Sequence, residues 1–159
     1  MKRMSFSISR GVFWLLGCTL CIVPCAEAQE QAYVSKVWSP DLGDGTYKNP
    51  VIHADYSDPD ICAVGNDFYM TASSFACAPG LPILHSTDLV NWEIVNYALQ
   101  RVVPGQFYDV ARHGKGVWAP SIRYHNGEFY IYWGDPDFGV YMVKASDPRG
   151  KWSEPVLVK

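Results

Sequence analysis

One arrangement of residues occurs twice in this chain. Pro59-Asp60-Ile61 recurs as Pro120-Ser121-Ile122, and Asn66-Asp67-Phe68-Tyr69-Met70 recurs as Gly127-Glu128-Phe129-Tyr130-Ile131, both at an offset of 61. Ser86 and Trp92 return as Ser146 and Trp152 at an offset of 60, and Asp88 is answered by Asp147 after a slip of one residue. A register kept across several elements is the mark of a repeated module. In the first copy, residues 61–64 and 68–73 are short β-rich runs on either side of Gly65-Asn66-Asp67, which reads as a hairpin, with Phe75 closing the second strand. Nothing long has a helical period. A loop, a third strand ending in Ser-x-Asp or Ser-Asp, and a last strand near a Trp complete a four-stranded antiparallel unit. Such a unit cannot bury both faces alone, and radial repetition of it makes a β-propeller of about four to eight blades. The chain is therefore expected to be all-β and to supply about the first two blades of a propeller whose other blades lie beyond Lys159. The alternative is an all-β sandwich built from two similar hairpins.

The repeat does not reach the first residues. Lys2, Arg3 and Arg10, an apolar run over residues 11–24, and Ala26-Glu27-Ala28 have the anatomy of an export signal and its cleavage site. The apolar run is shorter than the roughly 18 to 20 residues that span a bilayer, so no membrane span is expected. Residues 1–28 are read as a signal peptide, 29–48 as a polar leader broken by Pro40, Gly43 and Gly45, and 49–159 as the N-terminal part of the propeller domain. Export to the periplasm or the extracellular space follows. Leu15-Leu16-Gly17-Cys18 offers lipoprotein anchoring as a competing reading.

Removing Lys2, Arg3, Arg10 and Glu27 takes the 13 basic and 16 acidic residues to 10 and 15. An acidic chain whose Lys and Arg are scattered singly argues against nucleic acid and polyphosphate and in favour of a neutral ligand. Cys62 and Cys77 are the cysteines left after cleavage; an exported protein permits a disulfide between them, and two free thiols fit equally. No cofactor or metal is expected, because His53, His85, His113 and His125 lack ligand spacing and no CxxC occurs after residue 28. No Gly-x-Ser-x-Gly segment offers a hydrolase serine.

Residues at the mouths of inner strands face a propeller's channel. Asp58 stands at such a mouth, and its repeat partner is Ala119, so the module itself does not require a carboxylate there. The plainer reading is an Asp-Pro pair that only starts a turn. Trp118, at the mouth of the second inner strand, and Phe75 are less tied to the repeat than Phe68, Tyr69, Phe129, Tyr130, Trp92 and Trp152, which read as core. Trp118 and Phe75 could each present a flat apolar face to a sugar ring, whose C-H faces pack on aromatics.

Asn49-Pro50-Val51-Ile52, Ser57-Asp58-Pro59-Asp60-Ile61, Gly65-Asn66-Asp67-Phe68-Tyr69, Ser73-Ser74-Phe75, Pro79-Gly80, His85-Ser86-Thr87-Asp88-Leu89-Val90-Asn91-Trp92 and Trp118-Ala119-Pro120-Ser121-Ile122 together resemble glycoside hydrolase family 43. The resemblance implies a five-bladed propeller, an inverting mechanism, and β-xylosidase, α-L-arabinofuranosidase or arabinanase activity on plant cell-wall oligosaccharides and polysaccharides containing xylose or arabinose. It puts the family's general base on Asp58 and its pocket aromatics on Phe75 and Trp118. The family's pKa-tuning Asp follows a motif that here is Trp152-Ser153-Glu154-Pro155, and it and the general acid Glu are expected beyond Lys159. Cys77 departs from relatives with an aromatic there. Inversion needs one carboxylate to activate water and one protonated carboxyl to donate to the leaving oxygen, roughly 6.5 to 9.5 Å apart. With the base alone, this chain is expected to be inactive by itself. A sugar-binding propeller that lacks the acid is the competing function. A retaining fructan or sucrose hydrolase is disfavoured by the Trp118 motif.

Overall fold

The computed structural model describes residues 37–158, so the export-signal reading and the start of the leader lie outside the described residues. The described residues form two four-stranded antiparallel sheets and one short helical turn. Sheet one runs β1 (Asp60–Val64), β2 (Asp67–Thr71), β3 (Gly80–Ser86), β4 (Glu93–Leu99). Sheet two runs β5 (Trp118–His125), β6 (Glu128–Asp135), β7 (Gly139–Ala145), β8 (Val156–Leu157). In both, spatial order equals chain order, so each sheet is a meander with no exchange of strands. The helical turn α1 (Gly105–Tyr108) sits in the connection between them.

The repeat is visible in the ladders. Ile61 pairs with Met70 and Ile122 with Ile131, Cys62 with Tyr69 and Arg123 with Tyr130, Ala63 with Phe68 and Tyr124 with Phe129, each at the offset of 61. The third strand departs from the sequence reading. Phe68 pairs with Ser86 but Phe129 pairs with Ala145, so Ser146 lies one residue past the true counterpart of Ser86. The cause is length: the link from β2 to β3 is longer than the link from β6 to β7. The second strand also ends earlier than expected. β2 stops at Thr71, and Phe75 lies beyond it in an isolated bridge to Val117.

The core lies between the sheets. Leu81, Ile83 and Leu99 of sheet one meet Ile122, Ile131 and Val143 of sheet two, all fully buried or nearly so. Ile122, Ile131 and Val143 are directly opposite one another across three strands, so one face of sheet two is a continuous apolar surface. Burying a side chain of this size stabilises by about 1.5 to 3 kcal/mol. Polar ties cross the same boundary: Asp60 accepts from the Ile122 amide at 2.7 Å and pairs with Arg123, and the Asn96 amide donates to the carbonyls of Pro148 and Gly150.

The repeated Ser, Asp and Trp residues build the turns that follow the third strands. Asp88 accepts from the amides of Val90 and Asn91, and Asp147 from that of Arg149. The indole N–H of Trp92 donates to the Leu89 carbonyl and that of Trp152 to the Pro148 carbonyl; Trp152 is buried in the core as expected, whereas Trp92 is half-buried and lies outside the core cluster. The described part of the leader is ordered by local bonds. Asp41 pairs with Tyr47 around an Asp-Gly turn, and Asp41 also accepts from Asn91.

Candidate active site

Asp58, Phe75 and Trp118 are far apart in the chain and meet in one hydrogen-bonded patch at the sheet boundary. Phe75 and Val117 exchange two backbone bonds of 3.1 Å each, which sets the segment of residues 73–75 beside residues 117–119. The Ser73 amide donates to the Ser57 carbonyl at 3.0 Å, which seats Asp58 beside the same segment. The hydroxyl of Ser73 completes the patch. It accepts from the Ala119 amide at 2.8 Å and donates to Asp58 Oδ2 at 2.7 Å.

Asp58 is exposed, yet one of its oxygens is fixed. Oδ2 accepts from Ser73 and, at 3.4 Å, from the Ser57 hydroxyl, whereas Oδ1 forms no bond among the described residues. A carboxylate anchored through one oxygen and open at the other can accept a proton from a nucleophile held in front of it. Asp58 has φ 50°, Phe75 φ 50° and Ala119 φ 40°. Non-glycine residues with positive φ are uncommon, and three in one patch mark a backbone held by its surroundings, as functional sites often are.

The two aromatics are presented, not buried. Phe75 is 38 % exposed and Trp118 46 %. The indole N–H of Trp118 donates to the Gly114 carbonyl at 2.9 Å, which pins the ring by its polar edge and leaves its faces for an apolar contact. Gly116 makes the approach possible: it has φ +93°, and a Cβ there would stand 2.5 Å from the Phe75 carbonyl oxygen. Only glycine permits the pairing of Val117 with Phe75.

A cavity of 390 Å³ opens beside this patch, walled by Tyr56, Ser57, Ser73, Phe75, Cys77 and Tyr97, among others, though neither Asp58 nor Trp118 lines it. Burial pushes the Tyr56 phenol above its ordinary pKa, so it is a neutral hydrogen-bonding wall at pH 7. Two larger hollows lie elsewhere, one of 580 Å³ around Trp38, His85 and Trp92 and one of 610 Å³ between residues 96–106 and 150–155; neither is lined by Asp58, Phe75 or Trp118.

Cys62 and Cys77 are free thiols. Burial raises the Cys62 thiol to about 11, and it is inert packing on β1. Among the described residues no group of three or more His, Cys, Asp or Glu side chains is placed to hold a metal ion, and no helix is long and apolar enough to cross a membrane.

Ser73, Gly114, Gly116 and the Ala119 amide were not singled out from the sequence. Ser73 lies in the Ser-Ser-Phe stretch, but its partners are 15 and 46 positions away, and no local pattern signals them.

A family model described as Glycosyl hydrolases family 43 matches residues 47–159. The chain is 42 % identical over 121 residues to the non-reducing end α-L-arabinofuranosidase BoGH43B of Bacteroides ovatus, an alignment covering 74 % of this chain and 23 % of that protein. It is 46 % identical over 127 residues to a putative β-xylosidase of Xylanibacter ruminicola, covering 79 % of this chain and again 23 % of the relative. Among solved structures it resembles the GH43 BlXynB protein of Bacillus licheniformis, with a TM-score of 0.60 and 34 % identity, over 69 % of this chain and 24 % of that one. The chain thus spans under a quarter of the length of these relatives. With a match over most of its length and these identities, the chain belongs to glycosyl hydrolases family 43.

Proposed function

We propose that the protein hydrolyses O-glycosidic bonds of xylose- or arabinose-containing plant cell-wall saccharides by an inverting mechanism. In this reading Asp58 is the general base, and Phe75 and Trp118 pack against the sugar. The observation that carries the proposal is the patch itself: an exposed carboxylate, fixed through Oδ2 and open at Oδ1, beside two presented aromatic rings. Relatives named as an α-L-arabinofuranosidase and a putative β-xylosidase support the substrate class.

The two meander sheets support a propeller reading in which this chain contributes two of five blades. Their first two strands repeat in register, and the core is made where one sheet's face meets the next. The general acid and the carboxylate that tunes it then come from later blades, and the export signal directs the enzyme to the periplasm or beyond. Incubating the full-length protein with the 4-nitrophenyl β-D-xyloside, α-L-arabinofuranoside, β-D-glucoside and β-D-galactoside tests the substrate class. Release from one or both pentosides and not from the hexosides is expected. Binding of xylo- or arabino-oligosaccharides without any release would favour a sugar-binding propeller instead.

A further inference from the structure

We infer that Ser73 is the positioning residue for Asp58, and that the second sheet sets the direction of its hydroxyl. The inference rests on the proposal that Asp58 is the general base. Ser73 is 8 % exposed, and its hydroxyl has one proton. Because the Ala119 amide donates into the Ser73 oxygen at 2.8 Å, the hydroxyl proton is left for Asp58 Oδ2, 2.7 Å away. The bond ties up one carboxylate oxygen and aims the other, so that Oδ1 is the atom left to take a proton. It also makes the aim of a side chain just before β1 depend on a backbone amide of sheet two.

The repeat supplies an independent argument. At the offset of 61 that relates β1 and β2 to β5 and β6, Asp58 corresponds to Ala119 and Ser73 to Gly134. The backbone contact is kept: the Ser73 amide bonds the Ser57 carbonyl in the first copy, and Gly134 pairs with Trp118 in the second. The carboxylate and the hydroxyl are therefore absent together where this backbone contact recurs. A serine needed only for the strand-end geometry would have no reason to pair with the carboxylate in this way. Asp58 and Ser73 behave as one functional unit laid on a module that folds without either.

The test uses the full-length protein and a 4-nitrophenyl pentoside that it hydrolyses, with Ser73→Ala, Ser73→Thr, Asp58→Asn and Ser73→Ala/Asp58→Asn compared for kcat, KM and melting temperature. Loss of positioning costs up to about a hundredfold in rate. Ser73→Ala is expected to lower kcat by about ten- to a hundredfold with little change in KM or melting temperature, because Ala119 is an exposed residue and water can replace the lost hydroxyl as acceptor for its amide. Ser73→Thr keeps the hydroxyl and should recover most of the loss. In the Asp58→Asn background Ser73→Ala should cost almost nothing more, since there is no base left to aim. Wild-type kcat in Ser73→Ala, or losses that simply add in the double variant, would overturn the positioning role while leaving Asp58 as the base. Full activity in Asp58→Asn would overturn the base assignment and this inference with it.

Discussion

Asp58→Asn in the full-length protein is expected to lower kcat by about 10² to 10⁴, the usual cost of removing a general base. Substrate affinity and melting temperature should stay close to wild type. Asn has the same size as Asp and can still accept the Ser73 hydroxyl bond at its amide oxygen, but it cannot take a proton from water. Folding should tolerate the change for two reasons. Asn is, with Asp, among the residues that best accept the left-handed backbone found here at φ 50°. Ala119 holds the same place in the second sheet, with φ 40°, and no carboxylate at all. A variant that kept near-normal kcat, or that lost activity only by unfolding, would return Asp58 to the role of a turn-forming Asp-Pro pair.

The second large effect concerns residues 29–159 expressed alone, which should show no turnover of aryl xylosides or arabinofuranosides. Glycoside inversion needs a second, protonated carboxyl roughly 6.5 to 9.5 Å from the base. In the proposed reading that carboxyl comes from a later blade, and this piece holds the base without it. The same piece should also associate or bind hydrophobic dyes. Ile61 and Ile94 of sheet one and Tyr132, Val140, Val156 and Leu157 of sheet two are substantially exposed, a pattern suited to faces and edges that neighbouring blades cover. A monomeric, cooperatively melting and active piece would contradict both the propeller reading and the assignment of the acid to later blades.

The parts of the fold and site that were legible in the sequence are those with local causes. The hairpin of β1 and β2 follows from short β-rich runs on either side of Gly65-Asn66-Asp67, and it recurs in β5 and β6 because the same pattern recurs. The turns at Asp88 and Asp147 follow from side chains that bond amides two or three residues on. What was misread depends on distant partners. Residues 68–73 look like one β run, yet the strand stops at Thr71 because Ser73 turns to Ser57 and Ala119 and Phe75 pairs with Val117. The match of Ser86 to Ser146 is a composition signal in a loop of changed length, and the ladder corrects it to Ala145. For the site, contrast between repeats was the useful signal. It singles out Asp58 against Ala119, and the same comparison carried along the repeat sets Ser73 against Gly134.

In the proposed mechanism Asp58 activates water for a single displacement. Proton NMR of the anomeric signal of the sugar, followed from the first minutes of hydrolysis by the full-length protein, tests it most directly, before mutarotation mixes the forms. A water activated by Asp58 and attacking opposite the leaving group releases the sugar inverted, so a β-xyloside gives α-xylose first. First appearance of the β anomer would mean retention through a covalent intermediate, and would contradict a general-base role for Asp58.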